Sequence, residues 1–253
     1  MNIFFNANNK ATLESLQQCG VKNVLVSHRY SHNLKKFSDC FDNIFLIAGV
    51  NGEPNKYHNF LKDNRELYTN AAQFFVNDNM CDTINFLKKE RDMKLDTIPV
   101  LQQDFNKHLS QLNLPMGSDV CVGKMSGRLD MEESIRRLPI SMKYHGLGKG
   151  KYINKKTFES IDTSLWISAA LAKKFDIWTG TNVIPIKINQ NNMGEPILKH
   201  YCEKYKDNMD NIGIKYQDVL DNKYYTMLKL PIALYYMPLC KTLNSYSDNF
   251  IKE

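Results

Sequence analysis

Eight short runs of β-branched and aromatic residues recur along this chain, separated by segments whose apolar residues follow helical spacing. The runs are IFFN (3–6), NVLVS (23–27), NIFLIA (43–48), QFFVN (73–77), TIPVLQ (97–102), DVCVG (119–123), MKYHG (142–146) and FESID (158–162). Between them lie ATLESLQQCG, HNLKKFSDCF, YHNFLKDNREL, DTINFLKKERDM, DFNKHLSQLNL, LDMEESIRRL and NKKTFE, and SLWISAALAKKF follows the eighth run. Parallel strands need long crossovers, usually helices, so this alternation predicts a parallel sheet. Eight units of roughly 20 residues fit a closed (β/α)8 TIM-type barrel better than an open doubly wound sheet, which is the second choice. The pattern changes after about Phe175: WTGTNVIPIKI reads as an extra strand, followed by a polar, Tyr-rich tail with helical pieces. The expected organisation is a barrel domain over 1–180 and a C-terminal extension over 181–253, packed on the barrel as an appendage.

An apolar fraction of 43%, with 13 Tyr and 13 Phe, suffices for a large core. No run approaches the roughly 20 apolar residues of a membrane span, so no membrane partner is expected. MNIFFNANNK lacks the basic start and apolar run of a secretory signal, and six cysteines lie scattered without close pairing. Together these predict a reducing, cytoplasmic setting, the host cytoplasm if the source is viral. The Asn and Lys excess is what an AT-rich genome produces, as in a virus or a low-GC bacterium. The formal charge of +6 is compatible with a polyanionic partner without requiring one.

In a barrel of this kind the C-terminal strand ends converge on the active face. Those ends carry Arg29, Gly49 followed by Glu53, Asp78, Gln102, Gly123, His145 with Gly146 and Gly148, and Asp162. Each also has a structural reading. Asp162 suits an N-cap for the helix beginning TSLW, since a carboxylate there accepts free amides and complements the helix dipole. Asp78 suits a cap, together with Asp82, for the helix DTINFL. His145 suits a packed, hydrogen-bonded histidine. HGLGKG has glycines that let amides approach an anion, but it fits neither the dinucleotide nor the phosphate-loop pattern. Lys149, Lys151, Lys155 and Lys156 crowd the next connection, as a solvated loop or a phosphate-contacting surface. No metal is expected, since only His28 and His32 fall at ligand spacing and no third partner is near. No cofactor motif and no GxSxG nucleophile motif is present either.

Taken in order, NVLVSHRY, NIFLIAG, FFVNDNM, IPVLQQ, VCVGKMSG, YHGLGKG and SIDTSLW resemble the tRNA-guanine transglycosylase superfamily, over residues 23 to 166. The resemblance is closest to its shorter phage and bacterial DNA-guanine transglycosylases of the DpdA type. It implies exchange of guanine in nucleic acid, DNA rather than tRNA, for a 7-deazaguanine base such as 7-cyano-7-deazaguanine. Asp162 matches the eighth-strand aspartate that attacks the anomeric carbon and holds the sugar as a glycosyl ester. Asp78, Gln102 and Gly123 match base-recognition positions, and an aspartate and a glutamine suit the amine and carbonyl edge of a guanine-like base. His145, Gly146 and Gly148 belong to the same substrate loop. Arg29 and the four lysines would hold flanking phosphates, with the target base flipped out or single-stranded. Assembly as a homodimer or with a partner protein fits the same resemblance.

Two departures stand out. The family's third-strand aspartate is replaced by Ile47-Ala48-Gly49, with Glu53 a few residues on as a substitute catalytic carboxylate. The zinc cluster of the tRNA enzymes has no counterpart, so no zinc subdomain is expected. The alternatives are a non-catalytic nucleic-acid- or base-binding homologue, as one subunit of a transglycosylase pair, and a nucleoside N-glycosidase on the same barrel.

Overall fold

The computed structural model describes residues 2–49, 52–75, 79–101, 105–123, 136–148, 158–188 and 195–242. Its first strands form where the sequence runs are most apolar: β1 (Asn2–Ala7), β2 (Asn23–Ser27) and β3 (Asn43–Ile47). The series continues with β4 (Asn70–Ala71), β5 (Val100–Leu101), β6 (Asp119–Val122), β7 (Lys143–Gly146) and β8 (Ser160–Thr163). All eight belong to one sheet in the order β4-β3-β2-β1-β8-β7-β6-β5, and every pairing is parallel. The chain is therefore α/β, with helices α1 (Lys10–Gln18), α2 (Leu34–Phe37), α3 (Pro54–Asp63), α4 (Met80–Asp92) and α5 (Phe105–Leu112) between strands.

The strands are hydrophobic on both faces, as parallel strands covered on both sides must be. Phe4, Leu25, Phe45, Ala72, Val100, Cys121 and Leu147 form one inner cluster, while Ile3, Phe5, Val24, Val26, Ile44 and Leu46 are buried on the alternate face. Burying each large side chain contributes about 1.5–3 kcal/mol relative to exposure. The sheet is curled: His145 of β7 stacks on Phe45 of β3, ring centroids 4.5 Å apart, although three strands separate them in the sheet order.

The two strands at the ends of the sheet order do not coincide with their sequence runs. QFFVN was expected as a strand over 73–77 and TIPVLQ over 97–102, yet β4 ends at Ala71 and β5 spans only Val100–Leu101. The reason lies in where the amides go. Gln73 N–H donates to Ile98 O (2.9 Å) and Ile98 N–H to Ala71 O (2.8 Å), which makes a single parallel bridge between Ala72 and Ile98. Side chains take the remaining partners. Val100 N–H donates to Gln73 Oε1 (2.9 Å), Gln73 Nε2 to Thr83 O (2.7 Å), and Tyr57 Oη–H to Ala72 O (2.6 Å). Phe74 N–H donates to Glu90 Oε1 (2.7 Å), which His58 Nε2 also approaches at 2.8 Å, and Thr97 Oγ1–H donates to Glu90 Oε2 (2.7 Å). Buried polar groups must be paired, and this network satisfies them where a strand ladder is missing.

Two compact units divide the chain, one of 1–9 with 22–163 and one of 10–21 with 164–253. This boundary differs from the split at residue 180 read from the sequence. The second unit holds α1, α6 (Leu165–Ala172), the antiparallel pair β9 (Lys174–Trp178) and β10 (Val183–Lys187), and α7 (Glu195–Lys204). It continues through α8 (Lys206–Asn211), α9 (Tyr216–Leu220) and α10 (Tyr224–Pro231), which runs into a π-helical turn, Ile232–Tyr236. The helix expected to run through Phe175 stops at Ala172 because Lys173 takes the left-handed conformation (φ 52°), and the strand β9 follows at once. Helix α4 is capped by Asn79, which accepts from Asp82 N–H at 3.0 Å, so Asp82 lies in the first turn rather than at the cap. Among the described residues no helix is long and apolar enough to cross a membrane.

Candidate functional site

Asp162 is the third residue of β8, in register with Phe4 of β1, and only 2% exposed. Its carboxylate Oδ1 accepts the Gly148 amide at 2.6 Å. Helix α6 begins after Ser164, whose side chain makes no capping bond. The carboxylate is thus held by the turn after β7, which sets aside the N-cap reading. Gly148 sits at φ 65°, a conformation glycine adopts without strain, and no atom lies within 4 Å of where a Cβ would be. The glycine is needed for backbone direction, which aims its N–H at Asp162.

Alternation along β8 places Ser160 on the same face as Asp162, and Ser160 is in register with His145. His145 Nδ1 lies 2.7 Å from Ser160 Oγ, and its Nε2 lies 3.8 Å from Asp162 Oδ1. The imidazole is buried, stacked on Phe45 and edge-on to Phe4 at 5.4 Å. Cys121, opposite His145 on β6, has its thiol pushed well above the ordinary range by burial, with the Asp162 carboxylate adding to the effect. Gly146 ends β7 in register with Val122 and Ile161. Gly123 follows β6, and its N–H donates to Leu101 O at 2.9 Å.

The end of β3 has its own constraint. Gly49 sits at φ 83°, and a Cβ there would lie 2.2 Å from Ser27 Oγ. Glu53 is the exposed residue preceding α3, ion-paired with Lys56 at 2.7 Å; its described partner is that lysine and not Asp162. Arg29 is exposed, its guanidinium 5.7 Å from the Tyr30 ring centroid. Asp78, Gln102, Lys149, Lys151, Lys155 and Lys156 lie outside the described residues.

A cavity of about 160 Å³ opens at the opposite ends of the strands, lined by their first residues, among them Asn2, Asn43, Asn70, Lys143 and Ser160, with His145 at its inner end. Asp162 is not part of that lining. Among the described residues no group of three or more His, Cys, Asp or Glu is placed to hold a metal ion. The site therefore joins Asp162, Gly148, His145, Ser160 and Cys121. Sequence reasoning had named the first three; the period-two spacing of SID was the available signal for Ser160.

A buried carboxylate fixed through one oxygen can act as a nucleophile towards carbon or stabilise positive charge developing beside it. Compared with protein-family models and with characterised proteins, the sequence matches none of them.

Proposed function

We propose that this chain is a glycosyltransferase of the guanine-transglycosylase type, exchanging guanine in DNA for a 7-deazaguanine base with Asp162 as the nucleophile. The observation that carries the reading is the Gly148-to-Asp162 hydrogen bond. It joins YHGLGKG and SIDTSLW, the two motifs on which the resemblance rests most heavily. The curled eight-stranded parallel sheet, with an isolated parallel bridge between Ala72 and Ile98 beside its end strands, supports a (β/α)8 barrel as the scaffold.

In the first step an Asp162 oxygen forms a bond to C1′ as the C1′–N9 bond breaks. The bonding pair leaves on guanine, which takes a proton from water. In the second step the N9 of the incoming 7-deazaguanine, its proton released to water, attacks C1′ and frees the carboxylate. Splitting one displacement into two lowers each barrier. Scattered cysteines without zinc spacing favour the DNA-modifying branch over the tRNA enzymes.

A second reading is favoured by the third strand. Ile47-Ala48-Gly49 carries no carboxylate and Glu53 is engaged by Lys56, which is what a base-binding subunit without exchange would tolerate. An N-glycosidase would instead release base without needing an acceptor. Incubation with DNA or tRNA and labelled 7-cyano-7-deazaguanine, followed by intact-mass analysis, separates the three. Exchange predicts label in DNA and an adduct lost in Asp162→Asn; binding alone predicts neither; a glycosidase predicts free guanine without incorporation. Equal label incorporation by wild type and Asp162→Asn would eliminate Asp162 as nucleophile.

A further inference from the structure

The His145 ring is 5% exposed, and its Nε2 has no hydrogen-bond partner among the described residues. A buried imidazole nitrogen without a partner is costly, so the direction in which it points is informative. Here Nε2 faces the Asp162 carboxylate at 3.8 Å, while Nδ1 lies against Ser160 Oγ at 2.7 Å. Rotation of the ring is restricted by the Phe45 stack and the Phe4 edge contact. Of the described elements packed on it, β1 and β3 present phenyl rings, β6 presents the Cys121 thiol, and β8 presents the charged Asp162.

These contacts select a tautomer. A bare Nε2 lone pair directed at a carboxylate is repelled, whereas an Nε2–H is attracted. With the proton on Nε2, Nδ1 is free to accept from the Ser160 hydroxyl, and every polar atom in the chain of three has a use. Both the Gly148 amide and His145 Nε2 are directed at the same oxygen, Oδ1.

We propose that His145 is a positioning residue for Asp162. Held by Ser160 in its Nε2–H form, it co-anchors Oδ1 with the Gly148 amide and leaves Oδ2 as the oxygen that bonds to C1′. The inference rests on Asp162 being the nucleophile and adds the oxygen that attacks and the group that fixes it. The 3.8 Å separation is longer than a hydrogen bond; contacts of this kind tighten as the reacting complex forms. No proton transfer by His145 is involved.

The test uses the full chain with ring-15N-labelled histidine, the His145 signals being assigned by their loss in His145→Gln. The expected spectrum is a neutral ring protonated at Nε2, whose Nε2 resonance moves in Asp162→Asn while the other histidines stay in place. Asp162→Asn keeps an acceptor for the Gly148 amide, so the fold is retained. A ring protonated at Nδ1, or an Nε2 signal indifferent to Asp162→Asn, overturns the proposal. In exchange assays on a guanine-containing DNA, His145→Gln should lower kcat about tenfold or more with KM within about twofold, and Ser160→Ala should lower kcat by less. A raised KM at unchanged kcat would make His145 a substrate contact and overturn the positioning role. If wild type forms no adduct at all, the transglycosylase reading fails by itself, and the ring spectrum still decides whether His145 anchors Asp162.

Discussion

Replacing Glu90 tests how the segments after β4 and before β5 are held. The side chain is fully buried and serves three groups: the Phe74 amide at 2.7 Å, the Thr97 hydroxyl at 2.7 Å and His58 Nε2 at 2.8 Å. Glu90→Ala removes all three acceptor contacts and leaves a buried amide and a buried imidazole without their partner. An unsatisfied buried group costs about 1–3 kcal/mol, and breaking a buried pair about 3–5 kcal/mol. A total loss of about 3–5 kcal/mol is expected, a large share of the roughly 5–15 kcal/mol that holds a domain folded. Glu90→Gln keeps one acceptor oxygen for Phe74 N–H and should cost about 1–2 kcal/mol. Urea unfolding followed by far-UV circular dichroism reads both, and the thermal midpoint of Glu90→Ala should fall by roughly 6–20 °C. A loss below about 1 kcal/mol for Glu90→Ala would refute the reasoning, because the network would then be replaceable by water.

Gly49→Ala forces a Cβ to within 2.2 Å of Ser27 Oγ at a φ of 83°; the left-handed backbone alone costs about 1–2 kcal/mol, and Ser27→Ala in the same chain should recover part of the loss measured by denaturation. At pH 8 a disulfide reagent should label exposed Cys81 quickly, whereas buried Cys19, Cys121 and Cys202 should wait for unfolding. Burial pushes the thiols of Cys19 and Cys202 from 9.0 up to about 12. The unfolded chain therefore releases protons that the folded chain retains, and stability, unaffected by these groups below pH 9, should fall as pH rises from 9 towards 12; a flat unfolding midpoint over that window would contradict the burial of both thiols.

The sequence by itself determined the local features. Apolar runs separated by helical periods produced an all-parallel sheet, and the period-two spacing of SIDT put Ser160 and Asp162 on one face because successive strand residues point to opposite sides. Glycine at position 148 suits the left-handed turn after β7 (φ 65°), although the contact its amide makes with Asp162, 14 residues on, is tertiary. Tertiary structure decided what depends on partners distant along the chain. The amides of Phe74 and Val100 go to the side chains of Glu90 and Gln73, 16 and 27 residues away, instead of to a ladder between β4 and β5. Helix α1, though it lies between β1 and β2, packs on α10 in the second unit. His145 turns inward onto Phe45 because the sheet curls, a contact that no spacing rule within either strand encodes. Periodicity reports which face a side chain takes; only the closing together of remote strands fixes which group it meets there.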